Sequence, residues 1–400
     1  MTRRGEAWGL AFAFMVEAGC AAVWAWAVAT ALRDRQIAQR LAPITPGRRS
    51  QPEKQRLPSV AVILPARDEA SNIAGWISSV RRLNYPDLHI VIADDESEDG
   101  TSDVARRHIA GDSRFAVLRC PPKPHGWIGK SWAAHRGAQG SDAQWLLFSD
   151  ADMRMAPDTL TAAVEAALRL DTAALSLTTT LECGSTAEAI VMPVVAALIF
   201  AAYPICLIQD ERFATALMWG GFMLVRRDAY DKIGGHRAIR AEIAEDRAMA
   251  ERLKAFGYRV RLLDGSRLVR VRMYAGLASM WEGWRKNIFE GVRRSPLLAA
   301  LFVAGNCGLL IAPMPLLAAL GIARLRRRLS KLEGRLSVLC WVGALSAVLV
   351  RLLRDELIGA DARSVLATPF AGAFTCAVMS AAAWRSMTGR GQIWKGRTIH

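Results

Sequence analysis

The chain has 400 residues, with 52 lysines and arginines against 37 aspartates and glutamates, for a net charge of +15. It is 52% apolar, and a mean hydropathy of +0.16 is high for a chain with 22% charged residues, so a soluble domain is joined to membrane segments. There is no zinc-finger spacing or aromatic-basic RNA pattern, which argues against nucleic acid. The seven cysteines form no C-x-x-C pair, which argues against a disulfide framework.

Residues 7–32 are apolar apart from Glu17 and long enough to span a bilayer. Arg33, Arg35, Arg40, Arg48 and Arg49 follow the run and outnumber Arg3 and Arg4 before it. The positive-inside bias puts the N-terminus outside and residue 33 onward in the cytoplasm. Residues 1–50 therefore read as an anchor and basic linker, and 57–290 as the soluble domain.

That domain opens with a buried strand, 59–64, stopped by Pro65. Arg67, Asp68 and Glu69 then stand at the strand's carboxyl end. Arg67 is suited to a diphosphate, and Glu69 or Asp68 to a base or ribose. A helix over 73–83 leads to a second strand, 89–93, with Asp94 and Asp95 at its end. Asp99-Gly100 supplies a turn and Thr101 a helix cap, and a third strand covers 115–118. Gly126 to Lys130 is a small-residue loop whose lysine can reach phosphates, though it is not a Walker loop. Strands alternating with helices predict a parallel sheet, which binds ligands outside the carboxyl ends of its strands.

The strand 145–148 ends in Ser149-Asp150-Ala151-Asp152. Two carboxylates at such a point can hold Mg²⁺ or Mn²⁺, which favours one or two acids plus substrate phosphate oxygens. A solvated turn is the plain alternative. Residues 189–208 are apolar, with Pro193 and Pro204. They read as an interfacial or partly inserted helix, or else as a buried core helix. Gly220-Gly221 enters a strand where a bare backbone lets substrate come close. Glu245-Asp246 starts a helix whose dipole is expected to hold a carboxylate ionised, as a base requires.

Residues 291–400 read as a second membrane region. The run 297–323 is broken by Gly305-Asn306, Pro313 and Pro315, and followed by Arg324, Arg326, Arg327 and Arg328. The charge rule then predicts a hairpin that turns at the break and returns to the cytoplasmic face. Spans 336–353 and 364–384 follow, so the acidic loop between them lies outside and the basic tail inside.

The order Pro65-Ala-Arg-Asp-Glu69, Asp94-Asp95-x-Ser97-x-Asp99, Gly129-Lys130, Asp150-Ala-Asp152, Gly220-Gly221 and Glu245-Asp246 resembles glycosyltransferase family 2. Within it, Gly126-Trp127-x-Gly129-Lys130-x-Trp132 is similar to the polytopic lipid glycosyltransferases of the hopene-associated and diaponeurosporenoate branches. The resemblance implies a GT-A α/β domain, a nucleotide-sugar donor (UDP expected) and a divalent cation. It also implies a hopanoid or carotenoid acceptor, and a place in the bacterial inner membrane with the catalytic domain cytoplasmic. It implies that Asp94 and Asp95 bind nucleotide, Asp150 and Asp152 the metal, and that Asp246 is the base. The processive Q-x-x-R-W motif is missing. Its place is taken by residues 280–287, where Trp284 and Arg285 either cover the diphosphate or lie at the membrane interface. A polyprenyl-phosphate glycosyltransferase and a catalytically silent scaffold are the alternatives.

Overall fold

The structure, a computed structural model, describes residues 3–40, 57–394 and 397–399. In chain order the first elements are α1 (Arg3–Arg40), β1 (Val60–Ala66), α2 (Ile73–Arg81), β2 (Leu88–Asp94), α3 (Thr101–Ile109), β3 (Phe115–Arg119), α4 (Gly129–Gln139), β4 (Trp145–Ser149), β5 (Met153–Met155), α5 (Thr159–Arg169), β6 (Ala174–Thr178) and β7 (Thr180–Leu181). Next come α6 (Thr186–Ala202), α7 (Ile205–Ile208), β8 (Phe222–Arg226), α8 (Arg227–Lys232), α9 (Gly235–Ala238), α10 (Glu245–Ala255), β9 (Val260–Asp264) and β10 (Val269–Val271). The C-terminal part holds α11 (Gly276–Gly291), α12 (Pro296–Asn306), α13 (Pro313–Arg326), α14 (Lys331–Asp355), α15 (Thr368–Met387), β11 (Gln392–Trp394) and β12 (Arg397–Ile399).

These elements form two compact units. One comprises Gln36–Glu182 and Tyr203–Met273; the other comprises Met1–Arg35, Cys183–Ala202 and Tyr274–His400.

The first unit is α/β. Its seven-stranded sheet has the order β3-β2-β1-β4-β8-β6-β9, and β8 alone runs antiparallel to its neighbours. Apolar runs dictate this: β4 is buried at every residue, as expected of a strand covered on both faces. The chain passes from β1 to β2 on one side and to β4 on the other, so the carboxyl ends of β1, β2 and β4 flank a crevice. β1 does not stop at Pro65. Its pairing with β4 ends at Ile63, so the missing proline N–H leaves no ladder bond unmade there. On this sheet α4 rides close, since a Cβ at Gly137 would come within 2.4 Å of Ile63 Cγ2. That close contact fixes where α4 carries Lys130.

The second unit is helical. Four helices are long and apolar enough to cross a membrane: Trp8–Ile37, Thr186–Ile208, Lys331–Ile358 and Arg363–Met387. The pair Gly276–Gly291 and Pro296–Ile311, bent by 113°, makes a fifth candidate if taken as one span. Residues such as Trp8, Phe12, Leu325 and Phe370 leave more than half their surface exposed, as a lipid-facing helix does. Charges turn inward: Arg351 pairs with Asp355 at 3.0 Å, and both are buried. α6 packs with α14 and α15 in this unit, so the 189–202 stretch is neither loose on a surface nor part of the sheet's core.

Two expectations for the membrane region are corrected. The chain does not turn at Gly305–Pro315. Asn306, Cys307 and Ala312 keep right-handed helical angles, and Cys307–Ile311 is a π-helical stretch closed by Ala312 N donating to Cys307 O at 2.7 Å. Pro313 opens α13, where its missing N–H is not needed. The reversal comes instead at 327–330, where Arg327 is extended and Ser330 caps α14 with Glu333.

Nor can residue 33 onward and the 356–361 loop lie on opposite faces, because Arg35 Nε and Glu356 Oε2 pair at 3.1 Å. Helices α1 and α14 run parallel. Leu10 and Ala13 meet the Leu336–Cys340 cluster, while Trp24 and Ala27 meet Ala347 and Val350. The charge rule misplaced the turn because it read the glycine and prolines as a break, whereas a π-helical turn absorbs them.

Candidate active site

The α/β unit gathers its acids along the crevice. Asp94 ends β2, buried, with Oδ1 accepting from Ser97 N at 3.0 Å and Oδ2 from Ser102 Oγ. Asp95 beside it is 2% exposed. Arg67 Nη1 donates to Asp95 O at 2.8 Å and stands 3.9 Å from Asp95 Oδ2, so Arg67 braces Asp95. Pro65 sits one residue before the end of β1.

Asp68 and Asp99 serve the loops themselves. Asp68 N donates to Ser97 Oγ, Glu98 N donates to Asp68 Oδ1, and Asp99 Oδ2 accepts from Ala70 N at 2.9 Å. Asp68 and Glu96 hold φ of 49° and 56°, a left-handed conformation that these cross-braces sustain. Gly100, at φ 85°, is the cap of α3 instead of Thr101, whose hydroxyl accepts from Glu69 N.

Across the crevice stands a charge array. Lys130 opens α4, and its ammonium lies 2.7 Å from Asp150 Oδ1 and 2.7 Å from Glu245 Oε1. Burial works against its charge, but the two carboxylates prevail and hold its pKa well above the usual lysine value. Asp152 is pushed up to about 7, first by burial and then by the charges of Asp150 and Glu69. Its Oδ1 is buried and makes no hydrogen bond. Glu69 thus belongs beside the Asp150–Asp152 turn, where its carboxylate accepts from Asn72 Nδ2 at 2.9 Å.

Asp246 lies in the first turn of α10, its Oδ1 accepting from Arg247 N at 2.7 Å. The helix N-terminus does not keep it at an ordinary pKa. Burial and the adjacent Glu245 raise it to about 6. Gly220 and Gly221 are needed for reasons internal to the protein. A Cβ at Gly220 would lie 3.1 Å from Asp246 Oδ2, and one at Gly221 would lie 2.5 Å from Met153 Sδ.

A divalent cation suits this array. Asp152 Oδ1 offers a buried, unpartnered acceptor and Asp150 a second carboxylate. Among the described residues no cluster of three or more His, Cys, Asp or Glu is placed to hold a metal. An ion held by this pair would need phosphate oxygens and water to complete its shell.

Two expected residues fall elsewhere. Trp284 is on α11 of the helical unit, buried, donating to Met192 Sδ at 3.4 Å and packed on Tyr274. Its ring is part of that unit's packing. Arg285 follows it on the same helix, half-buried.

Three residues escaped the sequence. Arg154 donates to Ala151 O (2.9 Å), Met153 O (2.8 Å) and Asn72 O (3.2 Å), so it clamps the turn between Asp150 and Asp152. Lys254, at the far end of α10, donates to the carbonyls of Leu207, Asp210, Phe213 and Thr215. His236 is fully buried against Phe148 and Tyr230, and burial drives its pKa down to about 3, so it is a neutral wall behind the array. Only Arg154, two residues after Asp152, carried a positional hint.

Residues 61–234 match the family model described as Glycosyl transferase family 2. This segment is a family 2 glycosyltransferase domain. The domain's sequence relatives include the 4,4'-diaponeurosporenoate glycosyltransferase of Staphylococcus aureus (strain MRSA252), 26% identical over 58% of this chain and 61% of the relative. The protein of the same name from Staphylococcus haemolyticus (strain JCSC1435) is 24% identical over 60% and 63%. The match thus spans less than two thirds of these relatives' length. Among solved structures, the mannosyltransferase PcManGT from Pyrobaculum calidifontis, in complex with GDP-Man and Mn²⁺, aligns over 94% of this chain and 99% of its own. Its TM-score is 0.53 at 18% identity. That likeness bears on the fold of the family 2 domain, which is GT-A-like.

Proposed function

We propose that the protein is a membrane glycosyltransferase that moves a sugar from a nucleotide-sugar, UDP-linked, to an apolar lipid acceptor, with inversion at the anomeric carbon. The observation that carries this reading is the convergence of Lys130, Asp150, Asp152, Glu245 and Asp246 on the crevice that Asp95 also borders. A carotenoid acid or a hopanoid alcohol is the acceptor class. The names of the sequence relatives support the first, and the long apolar helices support a lipid in general. The same helices support a multi-pass protein of the bacterial inner membrane, with the α/β unit in the cytoplasm.

Asp94 and Asp95 would accept hydrogen bonds from the nucleoside. Asp150 and Asp152 would hold Mg²⁺ or Mn²⁺, which supplies positive charge to the departing diphosphate. Lys130 adds a fixed cation beside it and offsets part of the burial that raises the pKa of Asp150. Asp246 takes the proton of the acceptor hydroxyl as that oxygen bonds to the anomeric carbon and the bond to the diphosphate breaks. A positioned base of this kind is worth on the order of 10²–10⁴-fold in rate.

Only one protein carboxylate acts on the acceptor, so no covalent sugar–enzyme intermediate is needed. Asp246→Asn tests the role: donor binding by calorimetry is expected to stay within about twofold while transfer falls by at least about 10²-fold. Loss of donor binding alongside transfer would assign Asp246 to the scaffold instead. Sugar transfer by the unaltered protein to a lipid acceptor excludes a catalytically silent scaffold.

A further inference from the structure

We propose that the turn between α13 and α14 is a binding site for anionic phospholipid headgroups. The segment 324–335 carries Arg324, Arg326, Arg327, Arg328, Lys331 and Arg335 against a single acid, Glu333. That acid is already engaged. Arg327 donates to its two carboxylate oxygens at 2.6 and 2.9 Å, and the same carboxylate closes the cap of α14 by accepting from Ser330 N at 2.8 Å. The pairing folds one cation into the turn and leaves the others outside it. Arg324, Arg326, Arg328, Lys331 and Arg335 are exposed, and among the described residues none of them makes an ion pair or a side-chain hydrogen bond.

The opposite end of α14 and the loop after it are built differently. There Arg35 pairs with Glu356 at 3.1 Å, Arg351 with Asp355 at 3.0 Å and Arg363 with Asp361 at 3.7 Å. The helix between the two ends has 25 residues, about 37 Å at 1.5 Å per residue. A bilayer measures about 30 Å across its hydrocarbon and about 40–45 Å with its headgroups, so both ends of α14 reach headgroup level. At one end the protein neutralises its own cations. At the other it presents them unmatched, and the anions must come from outside the chain.

A soluble phosphate and a lipid headgroup offer the same chemistry, and the apolar neighbours decide between them. Leu325, between two of the arginines, is 89% exposed, and Ile322 and Val338 on either side of the cluster are 52% and 62% exposed. Apolar side chains standing among cations suit an amphiphile, whose acyl chains cover them while its headgroup meets the guanidinium and ammonium groups. A soluble anion leaves them in water. Each cation near an anionic bilayer surface strengthens attachment about fivefold, so a cluster of this size favours anionic over zwitterionic lipid. The site lies in the helical unit and is independent of the transfer reaction.

The test places the full chain in nanodiscs made of equal parts phosphatidylglycerol and phosphatidylcholine. Native mass spectrometry then counts the lipids that stay bound on release. Phosphatidylglycerol is expected to be enriched at least about fivefold over phosphatidylcholine. Arg324→Gln, Arg326→Gln, Arg328→Gln, Lys331→Gln and Arg335→Gln, made together, are expected to remove most of that enrichment. The corresponding Arg→Lys changes keep the charge and are expected to keep it. Arg33→Gln with Arg35→Gln, at the paired end, is expected to leave it unaltered.

Equal retention of the two lipids by the unaltered protein overturns the proposal. So does an enrichment that survives the Gln changes at 324–335, or one that falls as far in the variant altered at 33 and 35, since the preference then belongs to the charge of the chain at large. Displacement of the bound lipid by excess inorganic phosphate assigns the turn to a soluble anion and overturns it as well. Far-UV circular dichroism and a single elution peak, measured on each variant, show that the helices are folded.

Discussion

Asp246 is the residue on which the chemistry turns, and its environment makes a pH prediction. Burial and the neighbouring Glu245 raise its pKa to about 6. The base is the ionised form, so kcat should rise with pH through about 6 and level off above about 7. Glu245→Gln removes the negative neighbour and should shift that acid limb to lower pH; an unchanged limb would mean that another group titrates. Asp152 gives the companion prediction. With its pKa near 7 it holds a proton below neutrality, and a cation must displace that proton. Mn²⁺ affinity should therefore climb between pH 6 and 8, which titration followed by paramagnetic resonance would measure.

At the scale of elements, the catalytic geometry rests on two clamps. Arg154 grips the carbonyl between Asp150 and Asp152 and reaches the start of α2, where Gly75 leaves it room. A Cβ there would come within 2.5 Å of Arg154 Nη2. Arg154→Met and Gly75→Ala should each weaken Mn²⁺ binding by threefold to tenfold, on the order of 1 kcal/mol. Because both act through the same guanidinium, the double variant should fall well short of the product of the two. A multiplicative result would show that they act separately. Lys254 ties the segment 207–215 to the end of α10 through four carbonyls, and Lys254→Met should release amide-exchange protection there.

These clamps mark the limit of what the sequence made legible. Strand ends carrying acids could be read because apolar runs stop abruptly at Asp94 and Asp150. Which acids face the ligand could not. Asp68, Glu69 and Asp99 look alike in sequence, yet Asp68 and Asp99 bind loop amides. A lysine among carbonyls leaves no local signature, since its partners lie about 40 residues away in the chain.

For the whole molecule, the helical unit carries a topology that the positive-inside count missed. The Arg35–Glu356 pair sets one end of the α1–α14 bundle, and the 327–330 turn lies toward the N-terminal end of α1. Single cysteines at 36 and 330 should therefore be labelled from opposite faces of the membrane by an impermeant maleimide. Labelling from one face would restore the hairpin. The charge count erred because it weighed arginines without knowing where the chain reversed.

The central claim is that Asp95, Asp150, Asp152 and Lys130 form one cation-assisted diphosphate site. Calorimetric titration of UDP into the full chain, with and without Mn²⁺, tests it most directly. The account predicts at least tenfold tighter binding with Mn²⁺ in the unaltered protein and no cation effect in Asp152→Asn. Equal affinities with and without Mn²⁺, or a cation effect that survives Asp152→Asn, would contradict it.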